Sequence, residues 1–116
     1  MLHTDDIDQD WGRVEHYIRQ LTGKKPDLNA ALFLIGVQEL GKGALHFSKE
    51  QKQDLMHIGT CVVLERSGYY QFEGHDKDGW PHWVALKKTP LLTLAEQEKF
   101  LKIHIIDYFR HEIGNL

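Results

Sequence analysis

Hydrophobic residues recur every three to four positions near the start of the chain, which is the spacing of one face of an α-helix. The apolar positions of this face are Ile7, Trp11, Val14, Ile18 and Leu21. Acidic residues from Asp5 onward suit the positive end of a helix dipole, and Gly23 followed by Pro26 is typical of a helix end. The pattern predicts a first helix from about Asp5 to Thr22.

The next stretch predicts a second helix that is buried on nearly all sides. Asp27 is a suitable N-cap, and the helix is expected from about Leu28 to Leu40. Its segment NAALFLIGVQEL is apolar almost all the way round, which is typical of a central helix. Within it, Gly36 would let a neighbouring backbone approach closely.

The middle of the chain predicts a third helix followed by a β-hairpin. Ser48 and Gln51 form a capping-box pattern, and the helix is expected to run to about Arg66. The segments YYQFEGH and WPHWVALK then flank DKDG. This tetrapeptide suits a turn, because Asp76 can bond to its own backbone and Gly79 can adopt positive φ.

The last predicted element is a fourth helix. Thr93 and Glu96 form a second capping-box pattern, which opens a helix from about Leu94 to Glu112. We therefore predict an α+β fold of four helices and one antiparallel β-hairpin, in the order helix, helix, helix, hairpin, helix. It is expected to form a single domain over residues 1–116.

Composition and charge narrow the class of protein. The chain is 41% hydrophobic and 27% charged, which is ordinary for a soluble globular protein. No apolar run approaches the ~20 residues of a membrane span, and the acidic N-terminus does not resemble a signal peptide. The single cysteine, Cys61, fits the cytoplasm, because it has no internal disulfide partner. A formal net charge of −3 argues against nucleic acid as a partner.

One acidic residue lies within an apolar face. Glu39 falls on the same line of the second helix as Leu32 and Ile35. A buried carboxylate there would need a donor or a proton, which is the environment of a poised acid or base. The alternative is that Glu39 occupies the last turn of the helix and reaches water.

Two helical stripes carry side chains that could bind a metal. On the third helix the stripe is Asp54, His57 and Cys61, and on the fourth it is His104, Asp107 and His111. Each stripe covers roughly 60° of its helix, so two facing stripes could form a Zn or Fe site. The alternative is a solvated face without a cofactor, because the sequence contains no HExxH or CxxC motif.

The segment GHDKDGWPHW concentrates His, Asp and Trp around the predicted turn. It does not fit a calcium-binding EF-hand loop, because Gly74 and Ala85 would occupy the first and last ligand positions. Pro81 predicts an edge strand or a bulge. His75 and His82 could face each other across the hairpin, but two histidines alone are a weak metal signal. The segment is therefore predicted to be a turn.

Two surfaces are candidates for partner binding. One face of the hairpin is expected to pack on the helices, and the other would expose Tyr69 and Trp83 or their counterparts, unless a helix covers it. On the fourth helix, Phe100 and Ile103 project from the polar side. Extra large hydrophobic residues on a polar face favour a twofold homodimer, although contacts within the chain would also cover them.

Two resemblances extend these predictions. The element order and the segment VLERSGYYQFEGHDKDGWPHWVAL resemble winged-helix transcription regulators over about a third of the chain. That resemblance implies a third helix in the DNA major groove, a hairpin on phosphates and a dimerising last helix. However, SKEQKQD at the start of the third helix balances two Lys against Glu50 and Asp54. The segments LNAALFLIGVQELGKG and DGWPHW also resemble small bacterial proteins with no assigned activity.

The predicted function is a non-catalytic interaction or regulatory module. It is expected in the cytoplasm, with itself and another protein as partners. The alternatives are a winged-helix DNA-binding regulator and a small metal-dependent enzyme.

Overall fold

The computed structural model describes residues 6–43 and 46–114, so Asp5, the predicted start of the first helix, lies outside the described residues. The elements are α1 (Ile7–Thr22), α2 (Leu28–Leu40), α3 (Lys49–Glu65), β1 (Tyr70–His75), β2 (Pro81–Ala85) and α4 (Leu94–Ile113). This confirms the predicted α+β class and element order. In the described ranges, no helix combines the length and apolar character that a membrane-spanning segment requires.

The helix ends follow the capping signals in the sequence. The Asp6 side chain accepts a hydrogen bond from the backbone of the first turn of α1, and Asp27 does the same for α2. Complete capping boxes begin α3 at Ser48 and α4 at Thr93. Gly23 ends α1 with a φ of 78°, a conformation that glycine adopts without steric cost.

The chain divides into two compact units. The first contains the residues up to Ala31 and those from Leu91 onward, and within it α1 packs on α4. The second extends from Leu32 to Pro90 and contains the rest of α2, α3 and the hairpin.

The first unit is built around apolar positions of α1 and α4. The buried residues of these helices are Asp10, Trp11, Val14, Ile18, His104, Ile105, Ile106, Tyr108 and Phe109. Tyr17 and Phe109 bring their rings within 5.8 Å, and Arg110 donates to Asp10 at 2.8 Å. The predicted apolar face of α1 was wrong at its end, because Leu21 is 55% exposed.

The second unit contains two close contacts between α2 and α3, each at a glycine. A Cβ atom at Gly36 would overlap the backbone carbonyl of Leu55, and one at Gly59 would overlap that of Leu32. The predicted close approach at Gly36 is confirmed. A reciprocal contact is made at Gly59. The close approach of α2 and α3 therefore requires a glycine on each helix, because a Cβ atom would not fit at either position.

The hairpin packs on α3 and completes the core of the second unit. The buried centre of this core consists of Leu40, Leu55 and Ile58. The partly buried residues around this centre are Phe33, Val37, Phe47, Val62, Trp80 and Trp83. In the hairpin, Phe72 pairs with Trp83, and the register shifts between Phe72 and Gly74. Such a bulge bends the strand that carries it.

Candidate functional site

A cleft of about 380 Å³ lies between α3 and the hairpin, entirely within the second unit. Its lining is Gln51, Asp54, His57, Ile58, Cys61, Asp76, Asp78, Trp80, Pro81, His82 and Trp83. We call this set the α3–hairpin cleft. It contains the whole predicted stripe of α3 and much of the His-, Asp- and Trp-rich turn. The sequence analysis did not predict that these two segments lie next to each other.

Asp76 fixes the hairpin loop that borders the cleft. Its Oδ1 accepts hydrogen bonds from the backbone N–H groups of Asp78 and Trp80, at 2.9 and 3.0 Å. His82 Nε2 donates to its Oδ2 at 2.8 Å. The bond from His82, together with the backbone donors, lowers the pKa of Asp76 to about 2. Asp76 is therefore ionised at neutral pH, and its turn role is confirmed.

Glu65 fastens both strands of the hairpin to the end of α3. Its Oε1 accepts a hydrogen bond from Trp83 Nε1 at 3.1 Å, and its Oε2 accepts one from the backbone N–H of Phe72 at 3.2 Å. The rings of Phe72 and Trp83 lie 5.3 Å apart in an edge-on arrangement. These contacts hold the Trp83 wall of the cleft in place.

The thiol of Cys61 lies at the base of the α3 stripe. Cys61 is buried, and its Sγ lies 3.5 Å from His57 Nε2. Burial raises the pKa of Cys61 to about 11, and the negative charge of Glu65 adds to this effect. Cys61 is therefore a protonated thiol at neutral pH, which does not suit a thiolate nucleophile.

Carboxylates dominate the charge of the cleft. Asp54 comes from α3, and Asp76 and Asp78 come from the hairpin loop, whereas its lining includes no Lys or Arg among the described residues. Lys42 approaches the loop, where its Nζ donates to the backbone carbonyl of Asp78 at 2.6 Å. The α3–hairpin cleft therefore favours a positively charged group over a negative one.

The predicted stripe of α4 does not form a uniform solvated face. His104 is only 4% exposed, its ring lies 4.5 Å from that of Phe100, and its Nδ1 donates to the Phe100 carbonyl at 2.8 Å. Burial lowers the pKa of His104, partly offset by this bond and by Asp107. His111 is exposed, and its Nε2 lies 3.6 Å from Asp107.

A metal centre does not emerge from either stripe. Within residues 6–43 and 46–114, no group of three or more His, Cys, Asp or Glu side chains is arranged to hold a metal ion. His75 also lies opposite Pro81, and His82 lies opposite Gly74. The expected pairing of His75 with His82 was therefore wrong, and His82 bonds to Asp76 instead.

Glu39 is exposed at the last turn of α2, as the alternative interpretation expected, and this position does not suit a buried acid.

The candidate interface residues Phe100 and Ile103 of α4 are half-buried. Tyr69 is also half-buried, and Lys87 Nζ lies 4.4 Å from the centre of its ring.

The hairpin exposes the face opposite Trp83, which is one of the two faces that the prediction left open. Trp83 is half-buried and packs against the core of the second unit, and its role in partner binding stays a prediction. Its neighbours in sequence supply the exposed face: Val84 is 43% exposed and Leu86 is 55% exposed. The alternation of side chains along β2 explains the difference, since a shift of one position exchanges the two faces.

The sequence singled out the turn segment but assigned no binding role to Asp78, Trp80 or Glu65. The signal for the first two was the concentration of charged and aromatic residues in ten positions. For Glu65 no local pattern was available, because its partners lie 7 and 18 positions away.

Comparison with known proteins gave no match: no protein-family model, curated protein or solved structure matches this chain. The resemblances to winged-helix regulators and to small bacterial proteins therefore remain predictions.

Proposed function

We propose that this protein is a non-catalytic interaction module and that the α3–hairpin cleft is its binding site. The observation that carries the proposal is the cleft itself, a recess with two tryptophans and several ionisable groups on a hairpin tied to α3. Its volume of about 380 Å³ falls within the range of small-molecule sites. The same recess could accept one side chain of a partner protein.

Two features of the cleft support binding over catalysis. The Cys61 thiol, with its pKa near 11, is protonated at neutral pH and is therefore a poor nucleophile. The Asp76 carboxylate, with its pKa near 2, is fixed by three hydrogen bonds and is a poor general acid at neutral pH.

We also propose a cytoplasmic location, which is consistent with the buried free thiol of Cys61. Partners would be a second copy of the chain and another protein. DNA binding by a winged-helix arrangement is the second candidate, because the element order matches it. The carboxylates on α3 and the hairpin loop count against DNA, since phosphate contacts supply most of such affinity.

A fragment screen by heteronuclear NMR tests the binding site without knowledge of the ligand. Small neutral, anionic and cationic molecules are added to the whole protein, and backbone and indole shifts are mapped. We expect the shifts to cluster on Asp54, His57, Trp80 and Trp83. Absence of binding, or shifts concentrated in α1 and α4, would contradict the proposal.

For the DNA candidate, a gel-shift assay at physiological salt is decisive. We expect no sequence-selective complex. A tight complex that Lys49→Glu with Lys52→Glu abolishes would reverse the order of the two candidates.

A further inference from the structure

We propose that the α3–hairpin cleft binds an organic cation, a guanidinium or ammonium group on a short apolar stem. The inference rests on the proposed function and adds the chemical class of the ligand. Three properties of the cleft support it: the apolar part of its surface, its fixed aromatic walls and the distribution of its charges.

The apolar part of the lining gives the stem of such a ligand a place to lie. Ile58, Pro81 and the two tryptophans contribute carbon surface to the recess. Burial of a short alkyl chain against this surface is favourable, because it removes apolar area from water. A bare metal ion gains nothing from this surface, which favours an organic ligand.

The aromatic walls are held before any ligand arrives. Glu65 fixes the indole of Trp83 through the bond to its Nε1, and Asp76 fixes the backbone of Trp80. Both tryptophans also pack against the core of the second unit. Tryptophan is the best aromatic partner of a cation, and Arg in particular stacks on its face. A preformed wall reduces the entropy lost on binding.

The charges of the cleft select a cation. Asp54 and Asp78 come from the two elements that border the recess, and neither carboxylate has a bonded partner among the described residues. Asp76 adds a third negative charge, although its oxygens are already bonded. Lys42 bonds to a backbone carbonyl and leaves the Asp78 carboxylate available. A charge-assisted bond from a guanidinium would satisfy an open carboxylate.

The chain contains a built-in control for the test. It has three tryptophans, and Trp11 is buried in α1 of the first unit, outside the lining of the cleft. The indole N–H signals of Trp80 and Trp83 therefore report on the cleft, whereas that of Trp11 reports on nonspecific effects. Each signal is assigned by a Trp→Phe variant.

The probes are n-butylguanidinium and its neutral isostere n-butylurea, titrated into the whole protein at physiological salt. We expect n-butylguanidinium to shift the Trp80 and Trp83 signals with a Kd on the order of 1 mM, and the Trp11 signal to stay in place. The urea should bind at least about fivefold more weakly, because it lacks the charge.

Matched variants test the carboxylates. Asp54→Asn and Asp78→Asn should each weaken n-butylguanidinium binding by about three- to fivefold, the effect of an exposed charge pair. Glu50→Gln removes the same charge from the same helix outside the lining and should change the affinity by less than about twofold. Unchanged amide spectra of the unliganded variants verify their fold.

Three outcomes would overturn the inference. Equal binding of the urea and the guanidinium would show that charge is irrelevant, and the proposed binding site would stand with a different ligand class. Equal weakening by Glu50→Gln and Asp54→Asn would indicate diffuse surface attraction. Binding of neither probe, with no fragment in the cleft, would remove the binding site as well.

The source of the cation is tested with a second pair of probes, acetyl-arginine methylamide and its neutral counterpart acetyl-citrulline methylamide. Tighter binding of the arginine derivative than of n-butylguanidinium would support the inference with a side chain of a partner protein as the ligand. Weaker binding would support it with a free small cation.

Discussion

The indole nitrogen of Trp83 lies 3.1 Å from Oε1 of Glu65, and this hydrogen bond joins β2 to the last residue of α3. The other oxygen of Glu65 bonds to the backbone of β1. One carboxylate thus holds both strands of a two-stranded sheet. An isolated hairpin is marginally stable in water, so its packing on α3 and this attachment determine the shape of the α3–hairpin cleft.

Substitution of this carboxylate tests its role. Glu65→Ala removes two partly exposed hydrogen bonds, so we expect the free energy of unfolding to fall by about 1–2 kcal/mol. The amide of Phe72 should also exchange its hydrogen faster. Urea unfolding and hydrogen exchange measure both effects. Glu73→Ala, an exposed site on the same hairpin, should cost less than about 0.5 kcal/mol. Equal costs for the two variants would refute the attachment.

The glycine contacts between α2 and α3 predict that Gly→Ala destabilises the protein at Gly36, although the same substitution stabilises an open helix interior. In an open helix interior Gly→Ala stabilises by roughly 0.5–1 kcal/mol, and Gly12→Ala in α1 should do so because its surroundings are empty. Gly36→Ala should instead destabilise by about 1–3 kcal/mol, since its Cβ would overlap the Leu55 carbonyl. Urea unfolding compares the two, and stabilisation by both would show that α2 and α3 are farther apart.

His104 predicts a pH dependence of stability. Burial lowers its pKa below the ordinary 6.5, so the unfolded chain binds this proton more readily than the folded chain. The free energy of unfolding should therefore fall as the pH drops below about 6.5. His104→Phe should reduce this loss between about pH 7.5 and 5.5, as measured by urea unfolding.

A control separates His104 from the other histidines. His111→Gln removes an exposed histidine on the same helix and should leave the acid-induced loss close to that of the wild type. The same pH dependence in wild type and His104→Phe would show that burial of His104 does not control it.

The predicted homodimer depends on Phe100 and Ile103 of α4. Full burial of such a side chain contributes about 1.5–3 kcal/mol, and a twofold axis doubles the gain. We expect a dimer in size exclusion with light scattering, and a monomer after Ile103→Glu. Glu112→Lys, an exposed substitution on the opposite side of α4 from Ile103, should leave the dimer intact. A wild-type mass of one chain at tens of micromolar would disprove the dimer.

The fold could be predicted because its signals are local. The capping boxes at Ser48 and Thr93, the glycine at position 23 and the turn chemistry of Asp76 each act within about four residues. Helix faces were predicted less well. His104 is buried although the predicted stripe grouped it with Asp107 and His111, because an aromatic ring and a backbone carbonyl cover it.

The candidate site could be predicted only in parts. The α3 stripe and the turn segment were both identified, but their meeting depends on how the hairpin packs on α3, through contacts such as that of Glu65 with Trp83. In the hairpin, His82 lies opposite Gly74 and bonds to Asp76, not to His75. Such tertiary contacts leave no short-range pattern in a single sequence.

Intermolecular nuclear Overhauser effects test the α3–hairpin cleft as a binding site most directly. They are measured between the best-binding probe and the rings of the three tryptophans. We predict contacts from the probe to Trp80 and Trp83 and none to Trp11. Contacts to Trp11, or to neither tryptophan of the hairpin, would contradict a binding site in this cleft.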